Sequence, residues 1–130
     1  MSKHILIVDD SDTCRRVTRL FLESQLGLEV CGEAVDGVDA IEKARALKPD
    51  LVVMDLAMPR MGGVEAARQL KRRLPKVPII LFTLYAEMVS FSDAREAGIW
   101  AIISKSEPQK LLPEVLSLLG RQSRSASAGV

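Results

Sequence analysis

Asp9 and Asp10 follow directly on the apolar run Ile5-Leu6-Ile7-Val8, and Asp55 follows Leu51-Val52-Val53-Met54. Thr83 follows the run from Ile79 to Phe82, and Ser104-Lys105 follow the run from Ile99 to Ile103. Short apolar runs of this kind read as buried strands, and an open parallel α/β sheet binds its ligands beyond the carboxyl ends of its strands. Three carboxylates, a hydroxyl and an amine are therefore expected to gather on one sheet edge. Carboxylates so gathered repel one another, which raises their proton affinity unless a cation joins them. Magnesium suits the set, because it takes oxygen ligands, keeps several waters and commonly uses one or two carboxylates together with phosphate oxygens. Lys105 would bring a positive charge and a donor to a transferred phosphoryl group, and Thr83 a neutral hydroxyl donor. A carboxylate nucleophile, a metal and a lysine suffice for in-line phosphoryl transfer, with an aspartyl phosphate as product.

Each of these residues has a plainer reading when taken alone. Asp9, Asp10 and Asp12 stand where a first helix begins, and acids there are favoured by capping and by the helix dipole. Asp55 alone reads as a turn residue, Thr83 as a cap for the fourth helix and Lys105 as a solvated charge. Their joint placement after successive strands is what favours chemistry.

The elements that must position them alternate along the chain. Leu28 to Ala34 supplies a further apolar run, making five, whose starts recur at intervals of about 20 to 28 residues, as expected when βαβ units share their strands. Between the runs, Cys14, Val17, Leu20 and Phe21 fall on one helical face, as do Ala40, Ile41, Ala44 and Leu47, and then Val64, Ala67, Leu70 and Leu74. A fourth helix is predicted over Tyr85 to Ala97, with Met88, Phe91 and Ala94 together and Gly98 as its C′ residue. A fifth carries Leu111, Leu112, Val115, Leu118 and Leu119, with Pro113 setting or bending its start. Asp36-Gly37 and Lys48-Pro49-Asp50 mark turns around the second helix, and Pro75 and Pro78 close the third. Gly62-Gly63 reads as a turn that lets the third helix begin close to Asp55. Arg15, Arg16 and Arg19, like Lys71-Arg72-Arg73, are expected on solvated faces. Residues 1–120 are expected to form one domain, and 121–130 have the composition of a flexible tail or the start of a linker.

Composition excludes several classes. With 130 residues, 48% of them hydrophobic and 27% charged, the sequence is expected to hold one globular domain and no second catalytic one. A net charge of +1 gives no bulk reason to bind nucleic acid or an anionic membrane. Cys14 and Cys31 have no Cys or His at metal-ligand spacing and read as reduced, half-buried thiols. His4 is the only histidine, so no histidine-based catalytic pair is available. No signal peptide and no run of about 20 apolar residues is found, so a cytoplasmic protein without a membrane span is expected.

At the acid pair Asp9-Asp10, the segment Asp55-Leu56-Ala57-Met58-Pro59-Arg60-Met61-Gly62-Gly63-Val64-Glu65, Thr83 and Ser104-Lys105, the sequence resembles the receiver domain of bacterial two-component response regulators. The resemblance covers about residues 3–119. It implies a flavodoxin-like fold with a five-stranded parallel sheet in the order 2-1-3-4-5. It also implies that Asp55 accepts a phosphoryl group from a sensor histidine kinase or phosphotransfer protein. Asp9, Asp10, Asp55 and the carbonyl of Ala57 would hold Mg²⁺, with Asp9 acting directly or through water, and Thr83 and Lys105 would contact the phosphoryl oxygens. The chain would be a switch that modifies itself rather than an enzyme on external substrates. The face of helix four, strand five and helix five would carry the output, to a partner, to a homodimer or to a further domain, and helix one would dock the kinase. Ile102 stands where many receivers carry a switching Tyr or Phe, Trp100 lies two places earlier on the same side, and Ser106 replaces a frequent proline. Ala57 and Tyr85, two residues beyond Asp55 and Thr83, flank the phosphorylation site.

Three other readings compete. A haloacid-dehalogenase-like phosphatase would use Asp10 of Asp10-Ser11-Asp12-Thr13-Cys14 as nucleophile, but this chain offers no cap domain and no late acidic pair. A flavodoxin would want hydroxyls and glycine after strand one, where this chain is acidic. A receiver-like scaffold could signal without phosphate, and the intact acid cluster speaks against it.

Overall fold

The structure, a computed structural model, describes residues 2–128, with side chains as far as residue 121. Five strands, β1 (Lys3–Val8), β2 (Leu28–Ala34), β3 (Leu51–Met54), β4 (Ile79–Thr83) and β5 (Ala101–Ser104), form one sheet in the order β2-β1-β3-β4-β5. All paired strands are parallel. The helices are α1 (Asp12–Glu23), α2 (Gly37–Leu47), α3 (Gly63–Arg73), α4 (Phe91–Glu96) and α5 (Leu111–Ala128).

The central strands β1 (from Ile5), β3 and β4 read as near-continuous apolar runs because both faces of the sheet are covered there. Leu6, Val8, Val52, Met54, Ile79 and Leu81 pack against α2, α3 and α4. Ile5, Ile7, Leu51, Val53, Ile80 and Phe82 face the other way, toward Leu22 of α1 and Leu111, Val115 and Leu118 of α5. Successive strand residues point to opposite faces, so each side chain from Ile5 to Val8 is buried, at about 1.5–3 kcal/mol apiece.

Local signals set the helix ends. The Ser11 hydroxyl accepts from the Cys14 N–H at 3.2 Å and caps α1, and Asp36 caps α2 by accepting from the Asp39 N–H at 2.9 Å. Lys48, in the left-handed region at φ 48°, ends α2 ahead of Pro49. Gly98, at φ 79°, follows the C-cap of α4 as expected. Pro113 lies in the first turn of α5, where its missing N–H has no intrahelical partner to lose.

Four expectations need correction. The buried residues of α1 are Arg15, Thr18 and Leu22, while Val17 and Leu20 are 59% and 67% exposed. The helix is turned so that Arg15 faces the sheet end, where it finds polar partners. Arg15 is accordingly buried rather than solvated. The single fourth helix over Tyr85 to Ala97 is instead a 3₁₀ turn, Ala86–Met88, followed by a short α4, and Met88 and Phe91 project outward while Ala94 is buried. Ser90 interrupts the span because its hydroxyl caps α4 through the Asp93 N–H at 3.1 Å. Finally, β5 begins at Ala101 rather than Ile99, and Ile99 is buried just before it.

The helical backbone of α5 continues through Gly120 to Ala128, so the stretch expected as tail or linker from residue 121 begins as helix. Its residues 129–130 lie outside the described residues.

Candidate functional site

Register brings the acids together. Val8 of β1 pairs with Met54 of β3, so Asp9 and Asp55, the next residues of each chain segment, leave the sheet side by side. Met54 pairs with Leu81, and Thr83 with Ser104, which places Thr83 and Lys105 along the same edge. The Lys105 N–H donates to the Thr83 carbonyl at 2.9 Å and ties the last two strand ends together.

Lys105 Nζ donates to Asp9 Oδ2 at 2.6 Å and to Asp55 Oδ2 at 3.0 Å. Burial pulls the Lys105 ammonium toward losing its proton, but the hydrogen bonds and charges of Asp9 and Asp55 outweigh that and raise its pKa. The lysine is therefore charged throughout the working range. The remaining oxygens of the two acids are held by backbone: Asp9 Oδ1 accepts from the Ser11 N–H at 2.9 Å, and Asp55 Oδ1 from the Leu56 N–H at 2.7 Å. Asp10 is exposed, and its carboxylate takes no hydrogen bond from the described residues. Carboxylate oxygens of Asp9, Asp10 and Asp55 lie within 4.8 Å of one another.

Three acids against one lysine leave the cluster short of positive charge. Hard oxygen donors, two of them buried and one partly wet, are the set a magnesium ion takes while keeping waters. The residues thus fit the cation that their spacing suggests. Ala57 lies exposed in the loop between β3 and α3, on the same edge. Thr83 is wholly buried, and its hydroxyl accepts from the Tyr85 N–H at 3.1 Å. That bond shapes the turn after β4 instead of capping α4. Every peptide bond among the described residues is trans, Lys105–Ser106 included.

The loop after β3 is held by contacts that sequence reasoning missed. Arg60, at φ 62°, donates from Nε and Nη2 to the two oxygens of buried Asp36, at 2.7 and 3.1 Å. The bond from Arg60 first, and that from the Asp39 N–H second, hold the Asp36 carboxyl below the ordinary range. The Gly37 N–H donates to the Met61 carbonyl at 2.9 Å, and the Gly63 N–H to the Leu56 carbonyl at 2.8 Å. Arg15 was missed too. Its Nη1 donates to the Asp9 carbonyl at 2.6 Å, its Nε to Glu33 Oε1 at 2.8 Å and its Nη2 to Asp12. Burial works against the charge on Glu33, yet the bonds from Arg19 and Arg15 prevail and lower its pKa. Neither pair is local in sequence, and only the acidic residue of each stood at a recognisable strand or helix end.

Comparison with known proteins bears on this arrangement. The family model described as response regulator receiver domain matches residues 5–117. The response regulator protein VraR of Staphylococcus saprophyticus is 38% identical over 112 residues, covering 86% of this chain and 54% of that protein. VraR of Staphylococcus aureus is 36% identical over 121 residues, covering 93% of this chain and 58% of that protein. The chain thus spans little more than half the length of these relatives.

Among solved structures, a LuxR-family two-component response regulator from an Aurantimonas species superposes with a TM-score of 0.85 at 32% identity, covering 92% of this chain and 86% of that one. The response regulator domain of Thermotoga maritima CheB does so with a TM-score of 0.82 at 30% identity, covering 94% and 96%. The chain belongs to the response regulator receiver domain family of two-component systems. Among the described residues no helix is long and apolar enough to cross a membrane.

Proposed function

We propose that this domain is a Mg²⁺-dependent phosphoacceptor switch, and the observation that carries the reading is Lys105 Nζ bridging Asp9 and Asp55, with Asp10 beside them. Asp9, Asp10 and Asp55, with the Ala57 carbonyl, would hold the cation. When bound it would neutralise charge on the oxygens of the transferring phosphoryl group.

The Leu56 N–H fixes the Asp55 carboxylate, and one of its oxygens forms a bond to phosphorus. The bond from phosphorus to the donor nitrogen of the kinase's phosphohistidine breaks, and its electron pair stays on that nitrogen. Lys105 then exchanges Asp55 Oδ2 for a phosphoryl oxygen, and the Thr83 hydroxyl turns from the Tyr85 N–H to a second one. The added charge and acceptor oxygens bias a two-state element. Its output would leave through the face of α4, β5 and α5. On the α4–β5 part of it, Phe91, Ala94, Arg95, Ile99, Trp100 and Ile102 line a groove of about 500 Å³, and Phe91 is 85% exposed. The partners would be a sensor histidine kinase or phosphotransfer protein and an output domain or protein, a second copy included. The domain would act on itself and on no external substrate. The free thiols of Cys14 and Cys31 suit a cytoplasmic setting.

The experiment is intact-protein mass after incubation with acetyl phosphate, with and without Mg²⁺, on the wild type, Asp55→Asn and Asp10→Asn. One Mg²⁺-dependent phosphoryl adduct that vanishes in Asp55→Asn is the expected result. Absence of any adduct would leave a phosphate-independent scaffold. An adduct that survives Asp55→Asn and is lost in Asp10→Asn would move the nucleophile to Asp10.

A further inference from the structure

Arg15 is 9% exposed and, unlike the other arginines of α1, is turned toward the acid cluster. It does not touch a carboxylate of that cluster. Its Nη1 holds the carbonyl of Asp9, which belongs to the peptide joining Asp9 to Asp10. The Asp9 N–H is held in turn by the Ala34 carbonyl of β2 at 3.0 Å. Both sides of Asp9 are therefore anchored, one by β2 directly and the other through Arg15.

The guanidinium is itself locked. Glu33, on β2 next to Ala34, accepts from Arg15 Nε through Oε1 and from Arg19 Nε through Oε2, each at 2.8 Å. The Glu33 carbonyl accepts from Lys43 Nζ at 2.6 Å. Asp12 takes the remaining edge of the Arg15 fork. A planar guanidinium can serve three acceptors in fixed directions, and a lysine ammonium on a flexible stem cannot hold the same set. The Asp10 side chain has no hydrogen-bond partner among the described residues, so its position relative to Asp55 depends on where the Asp9–Asp10 peptide places its Cα.

We propose that Arg15, locked by Glu33, is a positioning residue for the divalent cation: it fixes the Asp9–Asp10 peptide so that both carboxylates face Asp55. This rests on the reading of the acid cluster as a Mg²⁺ site. Charge alone gives the opposite expectation, which makes the idea sharp. Removing a positive group near an acid cluster should strengthen cation binding by Coulomb's law, whereas releasing the peptide plane should weaken it.

The test follows Mg²⁺ binding to the unphosphorylated protein by backbone amide NMR shifts, with urea unfolding of each variant alongside. Arg15→Met and Arg15→Lys are expected to weaken Mg²⁺ binding roughly tenfold or more, as loss of partners that orient metal ligands commonly does. Glu33→Gln, which keeps the guanidinium but loosens its lock, is expected to weaken it by a smaller factor than Arg15→Met does. Arg15→Met that folds and binds Mg²⁺ as tightly as wild type, or more tightly, overturns the proposal, even if its stability falls. If Arg15→Met does not fold, Glu33→Gln decides, and an unchanged affinity there overturns it. A wild type that binds no Mg²⁺ removes the metal-site reading itself, whereas normal wild-type binding with unchanged variants removes only the role of Arg15.

Discussion

Gly63→Ala probes how closely α3 must approach the end of β3. A Cβ on Gly63 would press on the Asp55 carbonyl oxygen far inside van der Waals contact, and would lie 3.2 Å from the Asp55 carbonyl carbon and 3.1 Å from Leu81 Cδ2. The obstacle is backbone, so no side chain can swing aside to relieve it. Carbon atoms prefer separations of about 3.5–4.0 Å, so the first turn of α3 must retreat by roughly 0.5 Å or more. The retreat strains the bond from the Gly63 N–H to the Leu56 carbonyl, 2.8 Å in the wild type. Overpacking commonly costs about 1–3 kcal/mol and a weakened buried hydrogen bond about 1 kcal/mol more, so the expected loss is about 2–4 kcal/mol. Urea unfolding measures it as a lower midpoint at unchanged slope. Because Leu56 follows Asp55 and its N–H orients the Asp55 carboxylate, acetyl phosphate should also label the variant more slowly. A Gly63→Ala protein within 0.5 kcal/mol of wild type (a threshold at the usual scatter of harmless substitutions), labelled at the wild-type rate, would refute the close approach.

Other substitutions give different readouts. Gly120→Ala should stabilise by up to about 1 kcal/mol in the same urea assay, because α5 runs through this position and a Cβ there meets nothing within 4 Å; destabilisation would mean that the helix ends at Gly120. Asp36 has a lowered folded pKa, so its contribution is present above the unfolded carboxyl value of about 4 and is lost as pH falls through the lower folded value. Arg60→Met should therefore lower stability at pH 7 and shrink the further loss between pH 5 and pH 2 (a window around that value), and equal losses in the two proteins would show that the clamp contributes nothing. Lys105→Met leaves two buried carboxylates facing each other, at a cost of about 3–5 kcal/mol without metal. Added Mg²⁺ should restore part of that stability, and a variant indifferent to it would contradict the geometry. Tyr85→Ala should change the dephosphorylation rate measured by the decay of the adduct mass, since Tyr85 is 53% exposed two residues beyond Thr83 and its N–H holds the Thr83 hydroxyl; an unchanged rate would sink the idea.

Much of this structure could be read from the residues. The positions of the strands and the shared edge of Asp9, Asp55, Thr83 and Lys105 were legible because parallel strands buried on both faces leave short apolar runs, whereas the strand order was implied only by the family resemblance. Helix orientation was harder to read. Periodicity places Val17 and Leu20 of α1 inward, but the helix buries the face of Arg15, Thr18 and Leu22 and leaves those two aliphatic side chains exposed. The break at Ser90 lay hidden because a cap inside an amphipathic stretch looks like an ordinary polar residue. Arg15–Glu33 and Arg60–Asp36 join residues 18 and 24 positions apart, and nothing in a single sequence pairs them. The orienting contacts of the site came from tertiary structure, while the chemical groups were visible beforehand.

The most direct measurement locates the phosphoryl group. The protein is labelled with acetyl phosphate and Mg²⁺, treated with borohydride to reduce any acyl phosphate to the alcohol, digested and sequenced by mass spectrometry. Reduction found at Asp55 alone, and absent when Mg²⁺ is withheld, is the result expected of a carboxylate held by Leu56 and bridged to Asp9 by Lys105. Reduction at Asp10, or at no residue of a protein that remains folded, would contradict it.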